Sequence, residues 1–259
     1  MNLSPPIFVG NTFGITFEYK KEIRRCANDI EDSLKRVASS LGGGYNVPIV
    51  TPIPDEVDPN APRLIFNSLH GFSQIVFNQT GVTLNVSYSD DYMIADSAGL
   101  RKDYLYIRMC ILHKILEEIG CVVLFSGIVS RVLILTEDNE NELLGFLSSF
   151  IPEKYRTDLP YESMFRKAEI LENKFFNIFQ VSSYREIPAG QNPFLVPRLP
   201  AINSVKRGIE LVHDINDRYS YNENKDYFTS LEVSENILER SEGIIQQFLG
   251  KFYSLKGVE

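Results

Sequence analysis

Ser73-Gln74-Ile75-Val76-Phe77-Asn78-Gln79-Thr80-Gly81-Val82-Thr83-Leu84-Asn85-Val86 is the stretch on which the fold turns. Two short runs rich in β-branched and aromatic residues flank Gln79-Thr80-Gly81, a turn-length gap that closes on glycine. The pattern predicts an antiparallel hairpin with strands over 72–78 and 82–88.

Upstream, Phe13, Ile15, Phe17 and Tyr19 recur at every second position, the period of a half-buried strand, here expected over 11–20. The period then changes. Ile23, Cys26, Ala27, Ile30, Leu34, Val37 and Leu41 recur at steps of three and four, which predicts an amphipathic helix over 21–41 ended by Gly42-Gly43-Gly44. From Tyr45 to Pro62 the chain carries Pro48, Pro52, Pro54, Pro59 and Pro62. Proline removes the amide donors that a helix or central strand needs, so this stretch is expected as an extended loop.

Downstream, Asp103 can cap a helix running to Ile119, on which Leu105, Met109, Leu112 and Leu116 form one stripe. Gly120 stops it. Cys121 to Thr136 is a long run rich in Val, Ile and Leu, expected as a buried strand bent at Gly127. The resulting order, β-α-β-β-α-β over 1–136, is the split arrangement called ferredoxin-like. Residues 137–259 add a helix near 139–151, strands near 173–184 and 206–221, and an amphipathic helix near 230–253.

That second half is expected as an incomplete copy of the first. The strand 121–136 would serve both, and the proline-rich stretch Ile187 to Pro200 would replace the loop 45–62. The fold class is α+β, with antiparallel sheet covered by helices. One continuous domain in place of two halves, 1–136 and 137–259, stays open.

The 259 residues carry 34 acidic and 26 basic side chains, a net charge of −8 that opposes non-specific attraction to nucleic acid or anionic membrane. Three cysteines, Cys26, Cys110 and Cys121, are an odd number and suit reduced, buried thiols. The first ten residues show no basic region followed by an apolar run, and no stretch has the ~18 continuous apolar residues of a spanning helix. A cytoplasmic protein without a membrane segment is expected.

Catalytic signatures are scarce. His70, at the entrance to the hairpin, is the candidate site residue, since loops carry sites and histidine titrates near neutral pH. His113 has Glu117 one turn away for a local hydrogen bond, and His213 shares strand parity with Ile209, Leu211 and Ile215, the pattern of a core histidine. Asp90-Asp91, Glu117-Glu118 and Asp214 with Asn216 and Asp217 fit solvated faces as well as cation ligands. No zinc or calcium spacing occurs, so neither metal nor cofactor is expected. Gly42-Gly43-Gly44 follows a helix instead of opening one, unlike a phosphate loop. Phe72, Phe77, Tyr88, Phe175, Phe176, Phe179 and Tyr184 are the aromatics a sheet could offer to RNA bases.

Pro5-Pro6-Ile7 leading into Ile15-Thr16-Phe17-Glu18, the hairpin Gln74 to Val86, the helix from Tyr104, and Gly208-Ile209-Glu210-Leu211 before a final Phe-containing helix resemble a sporadically distributed bacterial family of about this length. The family carries no catalytic signature. The resemblance implies a bacterial cytoplasmic protein that acts with a partner, encoded beside mobile-element or defence genes.

The leading functional expectation is therefore a non-catalytic interaction or scaffold protein. It would bind another protein through an edge strand, the 45–62 loop or the C-terminal helix, whose stripe also suits a homodimer. The alternative is an RNA-binding or metal-independent RNA-processing protein on a double ferredoxin-like body.

Overall fold

The computed structural model describes residues 2–38, 44–88, 97–156, 162–186 and 206–254. Its strands are β1 (Ile7–Phe17), β2 (Ile49–Val50), β3 (Leu64–Asn67), β4 (Ser73–Phe77), β5 (Gly81–Ser87), β6 (Val123–Thr136), β7 (Met164–Leu171), β8 (Phe175–Glu186) and β9 (Lys206–Asn216). The helices are α1 (Ala27–Arg36), α2 (Ala98–Glu118), α3 (Glu140–Ser148), α4 (Arg218–Glu223) and α5 (Leu231–Ser254). The fold is α+β. All nine strands join one antiparallel sheet in the order β2-β3-β4-β5-β1-β6-β9-β8-β7.

The expected hairpin is β4–β5, with Ile75 opposite Leu84. The sheet is nevertheless larger than expected, because β2, β3 and β7 join it. β3 is four residues starting just after Pro62, and β2 is a two-residue pairing inside the proline-rich loop. The helix expected over 21–41 opens as a 3-10 turn at Ile23–Cys26 and continues as α1. Leu41, Gly42 and Gly43 lie outside the described residues, as do Asp90-Asp91 and the proline-rich stretch 187–200. α2 starts earlier than Asp103 predicts, because the Ser97 side chain accepts the Leu100 amide and caps it. The strand expected to 221 stops at Asn216, where α4 takes over.

β6 pairs with β1 on one side and β9 on the other, and so serves both halves. Chain order also reads as a repeat in which β6 stands at the head of the second unit. β1, α1, the meander β3-β4-β5 and α2 are followed by β6, α3, the meander β7-β8-β9 and α5. Each unit lays its meander beside its own first strand, and the two first strands meet antiparallel with Gly14 opposite Gly127. The turnover falls at Gly120, whose φ of +69° lets the chain leave α2.

Alternation along the strands separates two faces. Phe13, Ile15, Phe17, Ile75, Phe77, Leu84, Ile128, Val132, Leu211 and Ile215 are buried on one face, beneath Leu112, Ile115 and Leu116 of α2 and Ile237, Ile245, Leu249 and Phe252 of α5. At about 1.5–3 kcal/mol per buried large apolar side chain, this face dominates stability. It also occupies the apolar stripe of α5. On the opposite face Thr12, Thr16, Gln74, Val76, Thr83, Asn85, Val129, Ile178 and Val212 are partly exposed. The described helix there is α4, whose Tyr221 meets Phe125 and whose Tyr219 meets Phe176, both at 5.5 Å between ring centres. No described helix is long and apolar enough to cross a membrane.

Candidate functional site

His70 sits in the β3–β4 connection beside Gly71, whose φ of +79° permits the tight turn. The Phe72 amide donates to His70 Nδ1 at 3.3 Å, and the Ser68 hydroxyl lies 3.3 Å from the same nitrogen. Nε2 lies 3.2 Å from the Tyr104 hydroxyl, which donates to Ser73 Oγ at 3.0 Å, and Tyr45 reaches the same Oγ at 3.0 Å. Arg108 lies over the Tyr104 ring at 3.4 Å and brings Nη2 within 3.5 Å of His70 Nε2. Burial, helped by this guanidinium, pushes the His70 pKa down. The ring stacks on Phe72 at 5.5 Å.

The sequence reading found His70 but not Tyr45, Ser73, Tyr104 and Arg108. Tyr104 and Arg108 are one turn apart on α2, and only the packing of that helix over β4 brings them to the turn. The result is a neutral histidine inside a hydroxyl relay, an arrangement that fixes a turn against a helix.

A second chain runs through the core. His113 Nε2 lies 2.9 Å from Ser234 Oγ, Ser234 Oγ lies 2.9 Å from Ser126 Oγ, and the Ser126 amide donates to Asp217 Oδ1 at 2.6 Å. Tyr227 donates to Asp217 Oδ2 at 2.7 Å. Histidine, serine and aspartate are present, yet the aspartate holds a backbone amide and a phenol, not the histidine, so it cannot orient the imidazole as a triad would. Ser126, Ser234 and Asp217 are buried. Burial takes His113 down to about 4 and pushes the Asp217 carboxyl up.

His213 faces the covered side, as strand parity predicts. Its Nε2 lies 2.7 Å from Asn177 Oδ1 and its Nδ1 3.1 Å from Ser241 Oγ. Asn177 passes the chain to Glu169 Oε1 at 2.9 Å. Fully buried, the ring is held neutral with its pKa down to about 4. Glu118 accepts from Ser33 at 2.6 Å and pairs with Arg36 at 2.9 Å. No group of three or more histidine, cysteine or acidic side chains able to hold a metal occurs among the described residues. The three cysteines are free thiols, and burial raises their pKa values.

The aromatics offered for stacking divide between the faces. Phe77, Tyr88, Phe175 and Phe179 are in the covered core, Phe72 stacks on His70, and Phe176 and Tyr184 share the other face. Arg131 on that face is paired with Glu210.

The two sheet edges remain. On the first edge, Val47, Ile49, Val50 and Val57 of β2 and its loop, and Leu69 of the β3–β4 connection, are 51–71% exposed. The loop beneath them is not slack. Arg63, fully buried, donates to the carbonyls of Ala61 at 2.8 Å, Val57 at 2.5 Å, Asp58 at 3.1 Å and Pro54 at 3.2 Å, and to Gln79 Oε1 at 3.2 Å. Gln79 in turn donates to the Lys21 and Asp55 carbonyls at 2.7 and 3.1 Å. One guanidinium thus gathers four loop carbonyls, of which Pro54 and Asp58 also accept the Val57 and Ala61 amides, with the Asp55 carboxylate 3.5 Å from its Nε, and ties the loop together. No protein-family model, curated protein or solved structure matches the chain.

Proposed function

We propose that this protein is a non-catalytic interaction component that captures a protein partner along its β2 edge. The observation that carries the reading is the row of exposed aliphatic side chains on an edge strand, fixed by the buried Arg63. Proteins ordinarily blunt sheet edges with short strands, proline, charge or cover. The two-residue length of β2 and its flanking Pro48 and Pro52 already limit backbone pairing, so it is the exposed aliphatic side chains that mark the binding surface. A partner segment lying along this edge would set apolar side chains against Val47, Ile49 and Val50, the last two on opposite faces of β2. Because the loop is already ordered, little conformational entropy opposes binding.

The order β4-β5-β1-β6, with α1 and α2 as crossovers, supports reading the first unit together with the shared strand β6 as ferredoxin-like, extended by β3 and β2. The implied setting is a bacterial cytoplasmic system of the mobile-element or defence kind, as the family resemblance suggests. The polar clusters support a scaffold more than an enzyme: both ring nitrogens of His70 and His213, and Nε2 of His113, face protein groups. Affinity capture with tagged protein, with and without nuclease, tests this. A stoichiometric protein partner that survives nuclease is expected, whereas recovery of RNA, or of partners lost with it, would overturn the reading in favour of RNA binding.

A further inference from the structure

The opposite edge of the sheet is built differently. β7 is eight residues long and exposed along nearly its whole length, with Met164 and Ile170 about half exposed. The Ser183 amide donates to the Ser163 carbonyl, so odd-numbered residues of this strand turn their backbone groups toward β8. The N–H and C=O groups of Arg166, Ala168 and Ile170 therefore point outward. Phe165, Lys167, Glu169 and Leu171 share the helix-covered face, as the pairing of Lys167 with Phe179 and Glu169 with Asn177 requires.

We infer that β7 pairs antiparallel with β7 of a second copy of this chain, joining two nine-stranded sheets into one about a two-fold axis at Ala168. Two constraints select the register. Directly opposed residues must share a face, and the outward backbone groups must meet each other. Centring on Ala168 satisfies both: Ala168 meets its own mate, and Arg166 meets Ile170 of the second copy. On the helix-covered face, Lys167 then lies opposite Glu169 of the second copy and Phe165 opposite Leu171, each twice by symmetry. Sliding by two residues either way sets Lys167 against Lys167 or Glu169 against Glu169, like charges at the close positions of the ladder.

The strand is thus complementary to itself in one register and repelled in the neighbouring ones, which favours a second copy over an unrelated strand. Lys167 and Glu169 already pair within one chain, and pairing across the axis would extend that into a four-charge cluster. This interface lies at the far edge from β2 and does not depend on what β2 binds.

The test is sedimentation velocity on the full chain. Wild type is expected to be dimeric, and Ala168→Pro monomeric with an unchanged circular dichroism spectrum, because the donor it removes faces outward and makes no bond within the chain. K167E and E169K, each alone, place like charges across the axis and should be monomeric. An equimolar mixture of the two restores opposite charges at every crossing and should sediment as a dimer. A monomeric wild type, a dimer that survives Ala168→Pro, or a charge-variant mixture that stays monomeric would overturn the inference.

Discussion

Protonation of His213 should be one of the steepest acid-sensitive elements of this fold. The ring is fully buried, accepts from Ser241 and donates to Asn177, so a second ring proton would face the Ser241 hydroxyl in a site without a counter-charge. Burial lowers its pKa from 6.5 to about 4. The unfolded chain therefore binds a proton that the folded chain refuses between these values. Stability from this group is complete above 6.5 and is lost as pH falls toward 4. Between pH 7 and pH 5 the loss is about 2 kcal/mol, from ~1.4 kcal/mol per unit over the 1.5 units below the unfolded value.

Asp217, whose pKa is raised by burial, works in the opposite direction, and His113 in the same one. A comparison of wild type with His213→Gln cancels both. Urea unfolding at the two pH values should show wild type losing about 2 kcal/mol more than the variant. Parallel losses would refute the claim that His213 is the neutral, desolvated group.

Other perturbations have equally defined outcomes. Arg63→Met should cost about 1–3 kcal/mol, since it removes the partner of the Val57 and Ala61 carbonyls and of the buried Gln79 side chain, and should open the 45–62 loop to proteolysis before global unfolding. Tyr104→Phe breaks the link between His70 and Ser73 and should cost about 1–2 kcal/mol in urea melts, with the helix content unchanged. Gly208→Ala should cost more than about 2 kcal/mol, because the added Cβ meets the Ile134 carbonyl and lies 2.8 Å from Leu135 Cα on the neighbouring strand.

Much of this architecture is legible in the residues because one sheet face is buried and the other is not. β1, β4, β5 and β6 alternate, α2 and α5 carry continuous stripes, and each was placed within a few residues of its observed span, apart from the start of α2. The missed strands fail for a stated reason. β7, Met164-Phe165-Arg166-Lys167-Ala168-Glu169-Ile170-Leu171, sits at an edge where both faces meet solvent, so burial imposes no period on it. β3 is too short to show one beside Pro62. Composition cannot say whether β6 closes the first unit or opens the second, because it hydrogen-bonds to strands of both. For the site, His70 was found through its residue type, whereas Tyr104, Arg108 and Ser73 are ordinary helix and strand residues until tertiary packing unites them. Arg63 carries no local signal, since its partners are loop carbonyls, the Gln79 side chain and the Asp55 carboxylate, which no sequence spacing brings together.

The measurement closest to the central claim is binding of the captured partner to wild type and to the double variant Ile49→Asp, Val50→Asp. Both side chains are exposed, so the fold should tolerate the change and the melting temperature should stay within a degree or two of wild type. Loss of the partner with the fold intact is the predicted result. Undiminished capture by the double variant would contradict the account and move recognition away from the β2 edge.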